Sequence, residues 1–359
     1  CHWSGVALDA IKLCHWKKQV TINAKILYQT VGKLGLKPGQ VRRLLPGWWD
    51  PQIEKDPSGV SELAMLLGRR LSLDVGDLMN GQLSPKGAMR SVAFKHRVGL
   101  EPNALAAASA IASSLAQAVL AALPASYSKL PNRADELSEA ATKGDQRLLG
   151  FDALLTLCWD HGIPVIPLSN LPVGVRKMDG AALQIGDRPV IVIAKKKSSR
   201  AWLSFILAHE IGHIALGHLK PGSAIVDISL QEGATYATDD QNDKQEADAD
   251  AFALEAMGGD AVEFEVEKWS EQMAPVELAV KARAAAKVYR IEPGHFILRH
   301  AFINQRWPDA VTALRFLSED FNPEAALLGE FDRRLDMDAV SDDMQDLVTQ
   351  ITGWSGSHT

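Results

Sequence analysis

One motif near the middle of the chain restricts its folding more than any other stretch. Residues 207–218 read LAHEIGHIALGH, and within them His209, Glu210 and His213 form an H-E-x-x-H pattern. Histidines four residues apart lie about one helical turn apart and project from the same face of a helix. Because the flanking residues are largely apolar, the sequence predicts a buried helix across this segment.

The same spacing suits a metal ion. Two imidazoles one turn apart can bind one Zn²⁺ at about 2.0–2.1 Å each. Glu210 is offset from His209 by roughly 100° around the helix, so its carboxylate can reach a metal-bound water rather than the metal. The alternative is a pair of ordinary histidines on an amphipathic helix.

A third ligand has to come from another part of the chain. His218 is nine residues after His209, which places it about 180° away on a continuous helix. The metzincin pattern H-E-x-x-H-x-x-G-x-x-H is also excluded, because Leu216 and Leu219 stand where its glycine and third histidine should be. We therefore expect His218 near the end of the helix, where a cation interacts favourably with the helix dipole.

A second motif supplies acidic residues. Residues 246–253 read EADADAFA, which puts apolar side chains on one helical face and acidic ones on the other. One carboxylate from this second helix would complete a His₂Glu-type zinc site and leave one coordination position for water. Glu246, Asp248 and Asp250 are the candidates, and the functionally neutral interpretation is a solvated helix face.

Together the two motifs resemble those of the ImmA/IrrE family of metallopeptidases. The family pattern A-H-E-[LI]-[GS]-H matches residues 208–213. The pattern E-x-x-A-N-x-F-A matches residues 246–253, except that Asp250 replaces the usual Asn. The resemblance covers about residues 151–259 and implies a zincin-like domain.

The resemblance also implies roles for individual residues. The residues that would hold Zn²⁺ are His209, His213 and Glu246. Glu210 would act as the general base, and the substrate would be a protein, often a DNA-binding repressor whose cleavage switches on stress or mobile-element genes. A protein donor should also stabilise the oxyanion, and Tyr236 and His295 are the candidates that the sequence offers.

The charge of the chain is distributed unevenly. The formal net charge is −6, but residues 1–100 contain 15 Lys and Arg against 7 Asp and Glu, a net of +8. The other 259 residues contain 23 against 37, a net of −14. A basic N-terminal part predicts an anionic partner, usually nucleic acid, although a merely solvated basic surface would have the same composition.

Residues 60–79 resemble the last two helices of repressor-type helix-turn-helix domains. They combine a Leu-Ala-x-x-Leu-Gly helix with a following Leu-Ser-x-x-x-x-x-Leu stretch. Arg42 and Arg43 are the candidate DNA contacts, to bases or to phosphates.

Residues 104–123 carry no charge, but their many Ala and Ser favour a tightly packed helix over a membrane span.

The patterns predict an α+β, mainly helical fold, with a small zincin-like sheet beside the H-E-x-x-H helix and a helical N-terminal domain. Residues 181–185 and 189–194 flank a Gly-Asp-Arg turn and predict a hairpin, whose second strand would pair with an extended substrate. Residues 163–168 predict an edge strand because they contain two prolines.

The predicted regions are a basic, helix-turn-helix-like domain (1–100), an Ala-rich helix and connector (101–145), the zincin-like domain (146–260) and a helical C-terminal region (261–359). From residue 332 onwards we expect an acidic, mobile tail.

The leading functional hypothesis is a cytoplasmic zinc-dependent endopeptidase that cleaves a regulatory or repressor protein in a stress, mobile-element or toxin–antitoxin response. The three cysteines, Cys1, Cys14 and Cys158, lack disulfide or zinc-knuckle spacing, which favours a reducing compartment. The alternative hypothesis is a DNA-binding transcriptional or toxin–antitoxin regulator in which the zinc fold is a sensor or scaffold. The substrate, the activating signal and the oligomeric state stay open.

Overall fold

Helices surround one small mixed sheet in the computed structural model, which agrees with the predicted α+β, mainly helical class. The described residues are 22–86, 91–94, 105–143, 148–194, 199–220, 223–227, 241–317 and 321–356. The predicted metal-binding residues lie on two helices, Arg200–Ala215 and Gln241–Ala256, and the last strand of the sheet lies between them in the chain.

Four helices form the N-terminal part of the fold. They are α1 (Ala24–Gly32), α2 (Pro38–Arg43), α3 (Pro57–Arg70) and α4 (Val75–Met79), with a 3₁₀ turn at Pro51–Lys55. Asn23 caps α1 by accepting a hydrogen bond from the backbone N–H of Ile26 at 3.0 Å. Between α1 and α2 the chain turns at Gly35, whose φ of +85° lies in the left-handed region that glycine adopts readily.

The uncharged stretch 104–123 forms a packed helix, α5 (Ala106–Ala122), as predicted. Most of its Ala, Ser and Leu side chains are buried against neighbouring elements. Within the described parts of the chain, no helix combines the length and the apolarity needed to cross a membrane. The next helices are α6 (Ala134–Thr142) and α7 (Phe151–Asp160).

Five strands make up the sheet of the described residues. They are β1 (Ser91–Phe94), β2 (Val165–Pro167), β3 (Gly180–Ile185), β4 (Arg188–Ile193) and β5 (Ser223–Asp227). Their order is β1-β5-β3-β4-β2; β3 is antiparallel to both β4 and β5, whereas β1 and β2 run parallel to their neighbours. The β3–β4 pair is the predicted hairpin, with Leu183 opposite Val190.

The place of β4 in the sheet corrects one expectation. We expected residues 190–194 to offer a free edge to a substrate strand, but β4 pairs with β3 on one side and with β2 on the other. Pro164 accepts a hydrogen bond from the Ile191 N–H at 3.0 Å, and Leu168 donates one to the Ile193 carbonyl at 2.8 Å. Pro164 and Pro167 therefore do not interrupt this ladder, and β2 is the outer strand here, as predicted.

Eight further helices complete the described structure. They are α8 (Arg200–Ala215), α9 (Gln241–Ala256), α10 (Gly259–Glu267), α11 (Pro275–Tyr289), α12 (Pro293–Asn304), α13 (Trp307–Leu317), α14 (Pro323–Arg334) and α15 (Asp342–Thr352). The last helix corrects a second expectation, because the acidic tail that we expected to be mobile forms α15 over part of its length. Leu347, Val348 and Ile351 are at most 1% exposed and anchor this helix in the core.

The apolar side chains are buried in two clusters. The larger cluster joins the N-terminal helices, α5, the sheet, α8, α9, α14 and α15. The smaller one lies mainly among α10–α13. The domain boundaries at residues 100, 145 and 260 stay predictions, and the larger core extends across all three of them.

Candidate metal centre

The H-E-x-x-H motif lies in α8, as the sequence predicted. This helix packs against α7 and α9 and on strands β3 and β4. Its position between layers explains why the side chains of His209, Glu210 and His213 are fully buried. Burial of three ionisable groups is costly unless they are paired or bind a metal, so this part of α8 requires a specific chemical environment.

Two imidazole nitrogens and one carboxylate group converge at this point from two helices. The Nε2 atoms of His209 and His213 lie 3.1 Å apart. From α9, Glu246 places Oε1 3.0 Å from Nε2 of His213 and Oε2 3.4 Å from Nε2 of His209. Atoms bound to zinc at 2.0–2.1 Å with tetrahedral angles would be separated by about 3.3 Å, so the observed spacings fit such an ion. Two imidazole nitrogens and one carboxylate are also the donors that zinc prefers, and they leave one position open.

Electrostatics favour the charged form of the third ligand. Burial raises the pKa of Glu246, but hydrogen bonds and charge interactions with His209 and His213 outweigh it and hold that pKa well below its ordinary value. The carboxylate is therefore ionised at neutral pH, which is the state that binds a cation.

Each histidine of the cluster has a second polar contact through its other ring nitrogen. Nδ1 of His209 lies 2.7 Å from Oδ1 of Asp250, and Nδ1 of His213 lies 2.9 Å from Nδ1 of His218. Asp250 stands where the family pattern has Asn, and in this structure its oxygen can accept a hydrogen bond from the ring of His209. Such partners orient metal-binding imidazoles so that the opposite nitrogen faces the metal.

The carboxylate of Glu210 lies against the beginning of β3. Gly180 is the first residue of that strand, and a Cβ atom added to it would lie only 2.2 Å from Oε1 of Glu210. The strand can approach the carboxylate this closely only because Gly180 has no side chain. The sheet thus holds Glu210 beside the ligand cluster, on the same turn of α8 as His209.

The other predicted site residues are not grouped with this cluster. Tyr236 lies outside the described residues. His295 is buried in α12, where burial and the nearby charge of Arg299 lower its pKa to about 4. None of the contacts described for His295 involves the three ligands, and its role as an oxyanion donor stays a prediction. Asp248 is exposed on α9.

Arg42 and Arg43 are exposed on α2, far in sequence from the cluster. The guanidinium carbon of Arg42 lies 5.6 Å from the ring centre of Tyr28, close enough for a cation–π contact. Their exposure leaves both side chains accessible to an anionic partner.

Two features of the site were beyond the sequence analysis. The contact between His218 and His213 depends on the backbone conformation at the C-terminal end of α8. In the sequence, only Gly217 indicates a turn at that position. The approach of Gly180 to Glu210 joins residues thirty positions apart, and no local pattern indicates it. Only a three-dimensional structure brings these pairs together.

The fold and the site define a class of protein. A buried H-E-x-x-H helix, a nearby carboxylate from the next helix and a supporting sheet are features that metallopeptidases of the H-E-x-x-H type share. Comparison with protein-family models gives a more specific result, because residues 158–263 match the IrrE N-terminal-like domain of the Peptidase_M78 family. This match covers both motifs and supports the resemblance to the ImmA/IrrE family. No curated protein and no solved structure matches the chain.

Proposed function

We propose that this protein is a zinc-dependent endopeptidase. One observation carries the proposal: the Nε2 atoms of His209 and His213 lie 3.1 Å apart, and each lies 3.0–3.4 Å from a carboxylate oxygen of Glu246, beside the buried carboxylate of Glu210. The family supports a metal-dependent peptidase in general, and the donor set favours zinc among the common metals.

The residues of the chain have distinct tasks in this reaction. His209, His213 and Glu246 would hold Zn²⁺, which when bound supplies a Lewis acid and lowers the pKa of a water towards about 7. Glu210 accepts a proton from the attacking water and returns it to the nitrogen of the leaving amine. Its burial keeps bulk water away and strengthens its interactions with the reacting groups. Asp250 keeps the His209 ring oriented.

We propose that the substrate is a regulatory protein, such as a repressor or an antitoxin. The basic N-terminal helices support this idea because a regulator-like part could bring the peptidase to the same complex as its target. Cleavage would then change gene expression in a stress, mobile-element or toxin–antitoxin response.

A second candidate function, DNA binding by the N-terminal helices, is favoured by the exposure of Arg42 and Arg43 on α2. The helix-turn-helix-like residues 60–79 lie in α3 and α4. However, Gln40 on α2 donates a hydrogen bond to the carbonyl of Val173 in the peptidase part at 2.7 Å. One side of α2 is therefore already in contact with protein, and only its other side is available to DNA.

The variant Glu210→Gln tests the proposed peptidase. The amide has the same size but cannot accept the water's proton, and general-base catalysis contributes typically about 10²–10⁴-fold. We expect the variant to keep its zinc and to cleave at least about 100-fold more slowly than the wild type. Because it should still bind substrate, an affinity-tagged Glu210→Gln protein can be used to capture bound proteins, which are identified by mass spectrometry and then incubated with the wild type.

The matched control is Glu277→Gln, which changes an exposed carboxylate on α11 in the same way. It should retain both zinc and cleavage. Equal cleavage rates of the wild type and Glu210→Gln would exclude the peptidase mechanism and favour a regulator or scaffold.

A further inference from the structure

We propose, on the basis of the metal site proposed above, that His218 is a positioning residue for that site. Its neutral ring accepts a hydrogen bond from the Nδ1–H of His213 and so fixes the form of His213 whose Nε2 can bind a metal. The residue belongs to neither of the two motifs that identify the family. It acts through His213 rather than on the substrate.

The end of α8 brings His218 to this position. Gly217 has a φ of +71° and ends the helix in the left-handed conformation. The N–H of Gly217 donates to the carbonyl of Ile214 at 3.1 Å, and the N–H of His218 donates to the carbonyl of His213 at 3.0 Å. These two bonds form a Schellman motif, which reverses the chain at the helix end. The reversal returns the His218 ring to the His213 ring instead of continuing the helix.

The side-chain geometry that results is specific. The two Nδ1 atoms are 2.9 Å apart, and the ring centres are 5.2 Å apart with the rings inclined by 62°. His213 is fully buried and His218 is partly buried. A separation of 2.9 Å between two nitrogens requires one proton between them, because two lone pairs or two N–H groups would repel at this distance.

The position of that proton decides whether His213 can bind a metal. A neutral imidazole carries one N–H, on Nδ1 or on Nε2. If His218 were the donor, the proton of neutral His213 would sit on Nε2, the atom that lies 3.0 Å from Glu246 and 3.1 Å from His209. If His213 is the donor, its Nε2 lone pair is free to face the ion. Metal binding therefore requires His218 to be the acceptor.

The tautomer of His209 is also fixed by a hydrogen-bond partner at Nδ1, but the partner is a carboxylate. Its Nδ1 lies 2.7 Å from Oδ1 of Asp250, and an ionised carboxylate can only accept a hydrogen bond. Asp250 therefore fixes the tautomer of His209 on its own, whereas His218 does so for His213 only in one of its two neutral forms. His218 also lines a cleft together with Asp248 and Glu255.

The role differs from the one expected from the sequence, where His218 was a cation at the end of a helix. A cationic His218 carries hydrogen on both nitrogens and could not accept from His213. A histidine that only caps a helix would leave zinc affinity unchanged when it is replaced. Zinc affinity thus separates the two roles.

The test compares three substitutions in the full-length chain. His218→Leu introduces an apolar side chain of similar length that cannot accept a hydrogen bond. His218→Asn places an amide oxygen, which can accept one, near the position of Nδ1. His161→Leu is the matched control, because His161 also ends a helix and is followed by a left-handed glycine, Gly162. The zinc dissociation constant is measured by competition with a chromophoric chelator at one fixed pH, and the unfolding temperature of each metal-free protein is measured as well.

We expect His218→Leu to bind zinc about 10–100-fold more weakly than the wild type, since this is the usual loss when the partner of a metal-bound histidine is removed. His218→Asn should recover most of the affinity, and His161→Leu should match the wild type. The metal-free proteins with Leu and with Asn at residue 218 should unfold at similar temperatures. Zinc binding by His218→Leu as tight as that of the wild type, or equally weak binding by His218→Asn and His218→Leu, would contradict the positioning role. Absence of zinc binding by the wild type would contradict both this role and the proposed function.

Discussion

The two histidines of the candidate metal centre are equivalent in the sequence motif but not in their surroundings. His209 faces a carboxylate, Asp250, and His213 faces another imidazole, His218. The carboxylate increases the basicity of the ring that it contacts more than a neutral imidazole does. We therefore expect the two ligands to contribute unequally to metal affinity, although they lie one helical turn apart.

Gly180 controls the position of Glu210, and its substitution tests the assignment of the base. In Gly180→Ala the new Cβ would lie 2.2 Å from Oε1 of Glu210 and 3.1 Å from Cγ2 of Ile206. The carboxylate has to move, so we expect turnover to fall at least about tenfold while zinc is retained, together with the loss of about 1–3 kcal/mol of stability that overpacking costs. The measurements are zinc content, cleavage rate and the free energy of unfolding in urea.

A suitable control for this substitution is Gly39→Ala on α2, where nothing lies within 4 Å of the added Cβ. It should leave zinc, cleavage and stability close to the wild-type values. Full cleavage activity in Gly180→Ala would show that the contact with β3 does not position Glu210.

At the scale of elements, α8 is in contact with both apolar clusters of the protein. Its inner face belongs to the larger core, whereas Ala201 packs in the smaller core at the beginning of α12. There, Glu292 accepts a hydrogen bond from Ser204 of α8 at 2.8 Å, and a Cβ on Gly294 would lie 2.6 Å from that of Ala201. The C-terminal helices thus contact α8, as the sheet also does.

The contact between Glu292 and α8 should make stability depend on pH. Burial raises the pKa of Glu292 to about 7, although the hydrogen bond from Ser204 and the charge of Arg200 lower it in part. The ordinary value is 4.5, so the folded state holds this proton more tightly than the unfolded state. The contribution of Glu292 to the free energy of unfolding is therefore greatest below pH 4.5. It falls by up to about 3 kcal/mol as the pH rises through 7.

Replacing Glu292 by Gln removes this dependence. As the pH rises from 5 to 8, the wild type should lose up to about 3 kcal/mol of unfolding free energy relative to Glu292→Gln, because only the wild type has to ionise a buried carboxyl group. Urea unfolding of both chelator-treated proteins at the two pH values measures this shift, and Glu277→Gln serves as the control on the surface. Parallel pH profiles of the wild type and Glu292→Gln would contradict the raised pKa.

Local patterns predicted the elements well where the pattern itself decides the structure. The histidine spacing and apolar flanks indicated α8, and the turn between two apolar runs indicated the β3–β4 hairpin. Long-range pairing decided the rest. Residues 165–167 pair beside β4 and close an edge that the hairpin alone would leave open. Similarly, the acidic charges after residue 332 concealed the apolar face of α15, which is stable only because the core accepts it.

At the scale of the whole molecule, the N-terminal helices are joined to the last helix of the described chain. Arg70 on α3 is fully buried, and its guanidinium donates to the carbonyl of Leu44 and to Oδ2 of Asp346, each at 2.7 Å. A buried arginine that loses its partners is strongly destabilising, so these contacts hold α15 against the N-terminal part. Together with the bond from Gln40 to Val173, they connect the basic helices to the peptidase part. Any partner that binds α2 therefore acts on a surface attached to the part of the chain that carries the candidate metal centre.

The zinc content of the purified full-length protein tests the central claim most directly. Elemental analysis should be made on the wild type, His213→Ala, Glu246→Ala and the control Asp248→Ala, all purified in the same zinc-containing buffer. We predict one zinc per chain in the wild type and in Asp248→Ala, and almost none in His213→Ala and Glu246→Ala, because the two protein ligands that remain hold zinc poorly. Full zinc occupancy in His213→Ala or Glu246→Ala would show that the metal is not bound by these residues.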